Sequence, residues 1–333
     1  MMDEMLNDAV RQLLADQCTP AVVRAIEAGG PHQPLWQQIE DAGFADALVS
    51  EAAGGAGLCL ADVFGMLELC GAYALPVPLG ETMLARGVLA AAGIARPSGS
   101  IALTLATRMS DGAIASALVG NGRVADHVLV QCDGQVRLLR TADAAVSDAV
   151  YALDAALRWP LVAWDAAPQL PGAVDARSLQ ACVYAAQLAG CLMAVFQRTL
   201  AHANEREQFG RPIGKFQAIQ HQLSVISEHT FAARMAAQIG CRTDGIVPER
   251  LHVAVAKART SEAALEAAAM AHAIHGAIGF TAEFDLQLFT RRLHLWRQAG
   301  GSESYWHDVV GAALLDGEHT MVLDLIRDVT DIR

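Results

Sequence analysis

Two helix-like apolar runs, Leu179 to Leu200 and Ala218 to Ile239, are joined by a short polar turn carrying Gly210, Pro212 and Gly214. Apolar runs on both sides of a Gly/Pro break read as two helices with a tight connection. That commits the C-terminal half of the chain to helix-on-helix packing. The turn also carries chemistry. Arg206 and Arg211 are fixed cations with planar donor forks, and Gln217 is an amide that both donates and accepts. These groups suit a diphosphate and a purine edge. On residue types alone they describe an anion site on a helical bundle, and a solvated interhelical turn is the more common use of the same groups.

A chain of 333 residues can bury a large core and usually splits into more than one domain. The hydrophobic share is 53% but the aromatic share only 5%, so the core is built from Ala, Leu and Val, which favours helices. Formal net charge is −12, which argues against a nucleic-acid partner. An anionic ligand must therefore be held by local arginines and helix N-termini. Seven cysteines (Cys18, Cys59, Cys70, Cys132, Cys182, Cys191 and Cys241) are irregularly spaced and form no C-x-x-C pair. They read as reduced core thiols of a cytoplasmic protein. The opening Met1 to Glu4 lacks the basic and apolar regions of a signal peptide. The most apolar run, Ala181 to Phe196, is shorter than the roughly 20 residues that span a bilayer and carries Gln187. It reads as a helix buried on most sides, and no membrane partner is expected.

Residues 1–97 read as helical, with breaks at Gly29 to Pro31, Gly54 to Gly55 and Pro76 to Pro78. Ala61 to Tyr73 has Ala61, Phe64, Leu67, Leu69 and Cys70 near one face of a helix. Residues 98–170 change texture. Strand-like runs at Ile101 to Thr104, Ile114 to Val119, His127 to Gln131 and Gln135 to Leu139 alternate with turns at Asp111, Gly120 to Gly122 and Asp133 to Gly134. Residues 171–333 return to helix, apart from turns at 210–214 and 276–279 and a break at Gly300 to Gly301. The expected fold is mostly α with a small central β domain.

The order of residues adds a resemblance. Arg206 to His221, with Gln208, Phe209, Gly210, Pro212, Ile213, Phe216 and Gln217 in place, resembles the signature of the acyl-CoA dehydrogenase family. His275 to Arg292, with Gly276, Gly279, Phe280, Thr281, Glu283, Leu286 and the Arg291-Arg292 pair, is similar to a second family segment. Weaker agreement comes from Leu35-Trp36, Glu51 to Leu58 and Pro76 to Thr82. The resemblance spans most of the chain. It implies N-terminal helices, a β domain shorter than the family's, and a C-terminal four-helix bundle. It also implies FAD as cofactor, an acyl-CoA substrate from lipid or steroid catabolism, and electron-transfer flavoprotein as electron acceptor.

Family members desaturate acyl-CoA thioesters with a carboxylate base and a flavin that takes the hydride. The resemblance places that base either at Gly300 or, counting back without gaps, at Gln180. Glycine has no side chain and a glutamine amide accepts no proton at useful pH. No catalytic residue is therefore assigned. Glu303 is a weak substitute three residues on, and Glu283 a weaker one. The family's flavin-binding strand is only a trace in Leu103 to Asp111.

What the resemblance retains is the half-site that a family member offers to its neighbour's FAD. Arg206 corresponds to the arginine on the diphosphate and Gln217 to the glutamine near the adenine. Gly276 and Ala277 correspond to a Gly-Gly pair approaching the diphosphate, and Phe209 lies in the same segment, although its type suits a core anchor. Ala273 replaces a family glutamine. Arg291 and Arg292 are expected to cap a helix or pair with Asp285 and Glu283, His275 to be a packed imidazole, and no metal site is expected. The chain resembles the short, base-lacking subunit of heteromeric, steroid side-chain type acyl-CoA dehydrogenases, sharing FAD across an interface with a full-length subunit. Three alternatives remain: a self-sufficient enzyme using Glu303, a homodimer or tetramer doing flavin chemistry without a strong base, and a cofactor-free structural bundle.

Overall fold

A computed structural model describes residues 2–172, 174–317 and 321–330; Met1 and the last three residues, which fall within the expected terminal domains, lie outside the described residues. Five helices come first: α1 (Met2–Gln17), α2 (Pro20–Glu27), α3 (Gln33–Asp41), α4 (Phe64–Ala72) and α5 (Leu79–Ala91). Thr19 caps α2 through the Val22 N–H, with Pro20 in the first turn where its missing N–H costs nothing. The helix expected over Ala61 to Tyr73 starts three residues later and is buried nearly all round. It is a core helix without a wet face.

Seven strands follow: β1 (Ile101–Leu105), β2 (Thr107–Arg108), β3 (Ile114–Val119), β4 (His127–Cys132), β5 (Gln135–Arg140), β6 (Ala145–Asp148) and β7 (Ala155–Trp159). They form two sheets, ordered β1-β4-β5 and β2-β3-β7-β6, with β1 and β4 parallel. Along β1, Ile101 and Leu103 face the helical core while Ala102 faces a separate core between the sheets, the two-residue alternation of a strand. Strands β6 and β7 lie beyond the runs legible in the sequence.

After the short α6 (Leu161–Ala166) the chain is helical: α7 (Ala176–Glu205), α8 (Gln217–Gly240), α9 (Arg250–His275), α10 (Leu286–Gln298), α11 (Glu303–Asp316) and α12 (Val322–Thr330). Asp175 caps α7, accepting from the Arg177 and Ser178 N–H groups. At 30 residues α7 is long and apolar enough to cross a membrane, but 89% of its most apolar window is buried inside the fold. Helix α4 lies directly on it. A Cβ on Gly71 would sit 1.8 Å from the Gln187 carbonyl oxygen, and one on Gly190 1.8 Å from that of Glu68. Only glycine permits that approach.

Arg291 and Arg292 do not pair with Asp285 or Glu283. Both reach Glu27 on α2, at 2.6 and 3.3 Å, while Asp285 takes Arg24 at 2.5 Å. These ion pairs fasten α10 to the N-terminal helices, a partnership too distant in sequence to read from spacing.

Candidate functional site

The connection between α7 and α8 is a two-stranded hairpin, β8 (Glu207–Gln208) and β9 (Arg211–Pro212). Its two-residue turn puts Phe209 at φ +51° and Gly210 at φ +79°. Positive φ at both central residues is the turn that matches strand twist, and phenylalanine there is strained. Phe209 is 91% exposed, so it is not a core anchor. It meets Phe216 edge-on at 6.2 Å, and the Arg211 guanidinium lies 4.2 Å over the Phe216 ring. Buried Ile213 pins the connection, its N–H bonded to the Arg206 carbonyl at 2.8 Å.

Behind the hairpin is a cleft of about 620 Å³. Arg206, Phe209, Gly276 and Ala277 all line it, together with His202 and His275. Arg206 is exposed, and its side chain has no hydrogen-bond or ion-pair partner among the described residues. Gly276 has φ +64°, and a Cβ there would meet nothing within 4 Å, so its backbone is open to a ligand. The first turn of α8 has no side-chain cap, but its Ile219 N–H, the one from this turn at the cleft, is bonded to the Phe216 carbonyl at 3.0 Å. Gln217, the first residue of α8, is exposed and does not line the cleft, although Phe216 and Ile219 do.

The two histidines had no sequence assignment at this cleft, although His202 stands one helical turn before Arg206. Their rings stack at 4.3 Å. His275 Nδ1 donates to the Ala271 carbonyl at 2.7 Å, leaving its buried Nε2 without a partner among the described residues. Burial pushes both imidazoles below the usual histidine range, helped at His202 by the Arg206 charge.

The expected base positions lie elsewhere and are closed. Gln180 is 5% exposed and its amide donates to the Leu103 carbonyl at 2.7 Å, on the strand expected to serve the flavin. Gly300 packs on the next residue of the same helix, Ala181. The Trp306 indole donates to the Gly300 carbonyl at 3.0 Å, and Lys257 Nζ to the Gly301 and Arg297 carbonyls, each at 2.9 Å. Lys257 is fully buried, and burial pushes its pKa down to about 7. A lysine inside the apolar run of α9 is the sequence signal for this clamp. Glu303 is ion-paired with Arg297. Burial raises its pKa, but its own N–H, the Arg297 contact and the Lys257 charge outweigh that and hold it below the usual carboxylate range. A carboxylate stabilised in this way is a poor base. Glu283 is exposed. Neither of the two roomy clefts is lined by Gln180, Gly300 or Glu303.

Residues 178–315 match the model of the acyl-CoA dehydrogenase C-terminal domain, and residues 2–114 that of the acyl-CoA dehydrogenase N-terminal domain. Acyl-CoA dehydrogenase IpdE2 of Mycobacterium tuberculosis is 32% identical over 299 residues, 87% of this chain and 90% of that protein. Acyl-CoA dehydrogenase FadE34 of the same organism is 29% identical over 318 residues, 87% of this chain but 44% of that protein. Among solved structures, the ChsE4-ChsE5 complex from Mycobacterium tuberculosis has a chain of the same fold, with a TM-score of 0.84 at 22% identity, over 95% of this chain and 98% of that one. Butyryl-CoA dehydrogenase from Megasphaera elsdenii has a TM-score of 0.74 at 18% identity, over 94% and 98%.

Proposed function

The chain belongs to the acyl-CoA dehydrogenase family, and from that premise we propose that it is the FAD-tail half of a hetero-oligomeric acyl-CoA dehydrogenase whose full-length partner carries the catalytic carboxylate. The observation that carries this reading is the split fate of the two half-sites. The tail half, around Arg206 and Gly276, is open, cationic and lined by exposed groups. The reacting half, around Gln180 and Gly300, has no carboxylate at either base position and is packed shut.

The tail residues fit FAD's diphosphate end. A cleft of about 620 Å³ is in the range of small-molecule sites. Arg206 would hold the diphosphate, the Gly276 backbone would permit its approach, and the orphaned His275 Nε2 offers an acceptor to a ligand donor. The ring end does not fit. Leu103 spends its carbonyl on Gln180, and Thr104 spends its hydroxyl on Ser116 at 2.8 Å. Bound FAD supplies the hydride acceptor. This chain's residues supply binding and orientation, with Phe209 projecting toward the partner.

Related names agree with a shared assembly. ChsE4-ChsE5 is a two-component complex, and the Tcur3481-Tcur3483 steroid acyl-CoA dehydrogenase is another fold neighbour. More than half of FadE34 lies outside its match, room for a second unit of this size. A steroid or other lipid acyl-CoA as substrate, electron-transfer flavoprotein as acceptor and a cytoplasmic location complete the proposal.

The test is flavin stoichiometry. The chain expressed alone is expected to be colourless, and co-expression with a full-length homologue to give one FAD per heterodimer, read from flavin absorbance. Tight stoichiometric FAD in the lone chain would overturn the half-site reading.

A further inference from the structure

A second large cleft, of about 610 Å³, lies between the N-terminal helices and the bundle and shares no lining residue with the Arg206 cleft. Its walls come from α1, α2, α4, α7, α8 and α10, and Val23, Leu69, Met193 and Leu288 give it an apolar body. Its charges run against those of the whole chain. Formal net charge is −12, yet the cleft is lined by Arg11, Arg198 and Arg234 against one carboxylate, Glu68.

Two of those arginines are already matched. Arg234 grips Glu68 with two bonds, at 2.5 and 3.2 Å, and Arg11 pairs with Asp8 at 2.6 Å. Arg198 is different. It is half-buried, its guanidinium carbon 4.1 Å from the centre of the Phe289 ring. It has no hydrogen-bond or ion-pair partner among the described residues, and Asp285, whose charge it feels, is committed to Arg24. Burial pushes its pKa below the usual arginine value, the mark of a cation short of compensation. A guanidinium over a ring and without a hydrogen-bond partner keeps its N–H groups for a planar, two-oxygen anion.

We propose that this cleft binds a monocarboxylate amphiphile, its carboxylate on Arg198 and its aliphatic or alicyclic body along Val23, Leu69, Met193 and Leu288. An apolar body with one placed cation selects for this class. A neutral lipid would leave Arg198 unmatched, and a cationic amphiphile would be repelled by it. The site is independent of the FAD half-site, so either can fail without the other.

Titration calorimetry of the full chain with decanoate, and with decyltrimethylammonium as a cation of equal chain length, tests the proposal. Decanoate is expected to bind saturably, one per chain, and the cation not to bind. Arg198→Gln should weaken decanoate by about tenfold or more, the scale of one lost charge-assisted contact. Ala72→Trp, which fills the cleft from the half-buried end of α4, should abolish binding. No saturable decanoate binding, equal binding of the cation, or unchanged affinity in Arg198→Gln with a wild-type unfolding midpoint overturns the proposal. Should that variant not fold, Ala72→Trp decides in its place.

Discussion

Gly300 lies against the backbone of Ala181: a Cβ at position 300 would sit 3.1 Å from the Ala181 nitrogen and 3.3 Å from its Cα. The two places where family resemblance puts a catalytic base, Gly300 and Gln180, are therefore on surfaces that touch. Losing the carboxylate and closing the space go together. A side chain restored at one position has no room for substrate beside it.

Gly300→Glu should consequently give no dehydrogenase activity. It should also destabilise the fold, because φ is +71° and the neighbouring atoms are helix backbone that cannot yield. Strain of that kind costs about 1–3 kcal/mol. Urea unfolding of the variant measures the loss. Turnover of an acyl-CoA with a dye acceptor by the lone variant would show that the site is open after all.

Arg206 is exposed and has no partner among the described residues, so removing it should leave the fold intact. In the complex, Arg206→Ala is expected to weaken FAD retention ten- to a hundredfold, from roughly 1.5–3 kcal/mol for a hydrogen bond to a charged group. The readout is flavin released on dilution, with circular dichroism as the folding control. Equal retention would reduce Arg206 to a turn residue.

Phe209 pairs strain with exposure. At φ +51° and 91% exposed, it contributes little to this chain alone. Phe209→Gly should therefore raise stability slightly, by about 0.5–1 kcal/mol, because glycine accepts left-handed backbone freely. The same change should weaken association with the full-length partner, where an exposed aromatic becomes a buried anchor. Calorimetry of the chain and a binding titration of the pair separate the effects. A loss of stability would mean that the ring packs within its own chain.

Much of this fold was legible because its signals are local. The runs at Leu179 to Leu200 and Ala218 to Ile239 became α7 and α8, with a Gly/Pro turn where expected. Arg206, Phe209, Gly276 and Ala277, some seventy residues apart, meet in one cleft because the helices bearing them pack side by side. What stayed hidden depends on distant partners. Strand β7 is alanine-rich and becomes a strand only by pairing with β3 and β6. Glu27 gives no local sign that it will hold both Arg291 and Arg292. Gln217 shares a segment with Arg206, yet it does not line the cleft.

Glu81 supplies the pH prediction. It is fully buried in α5 beside the Tyr184 hydroxyl. Burial pushes its pKa up to about 7, and the same cause takes nearby Asp154 to about 6. A folded-state pKa above the ordinary 4.5 means that the folded chain binds the proton more tightly. That stability is fully present below pH 4.5 and is lost as pH rises through about 7. Glu81 alone should thus lower unfolding free energy by about 2 kcal/mol between pH 5 and pH 7. Lys257, depressed from 10.5 to about 7, has the opposite sign, but its contribution grows mainly above that window. Glu81→Gln, neutral at every pH, should remove this fall; Asp154 adds a smaller fall of the same sign, and the depressed histidines, His202 and His275 among them, oppose it in both chains. Urea unfolding at both pH values compares the two chains, and an unchanged slope in the variant would mean that Glu81 titrates normally in the folded protein.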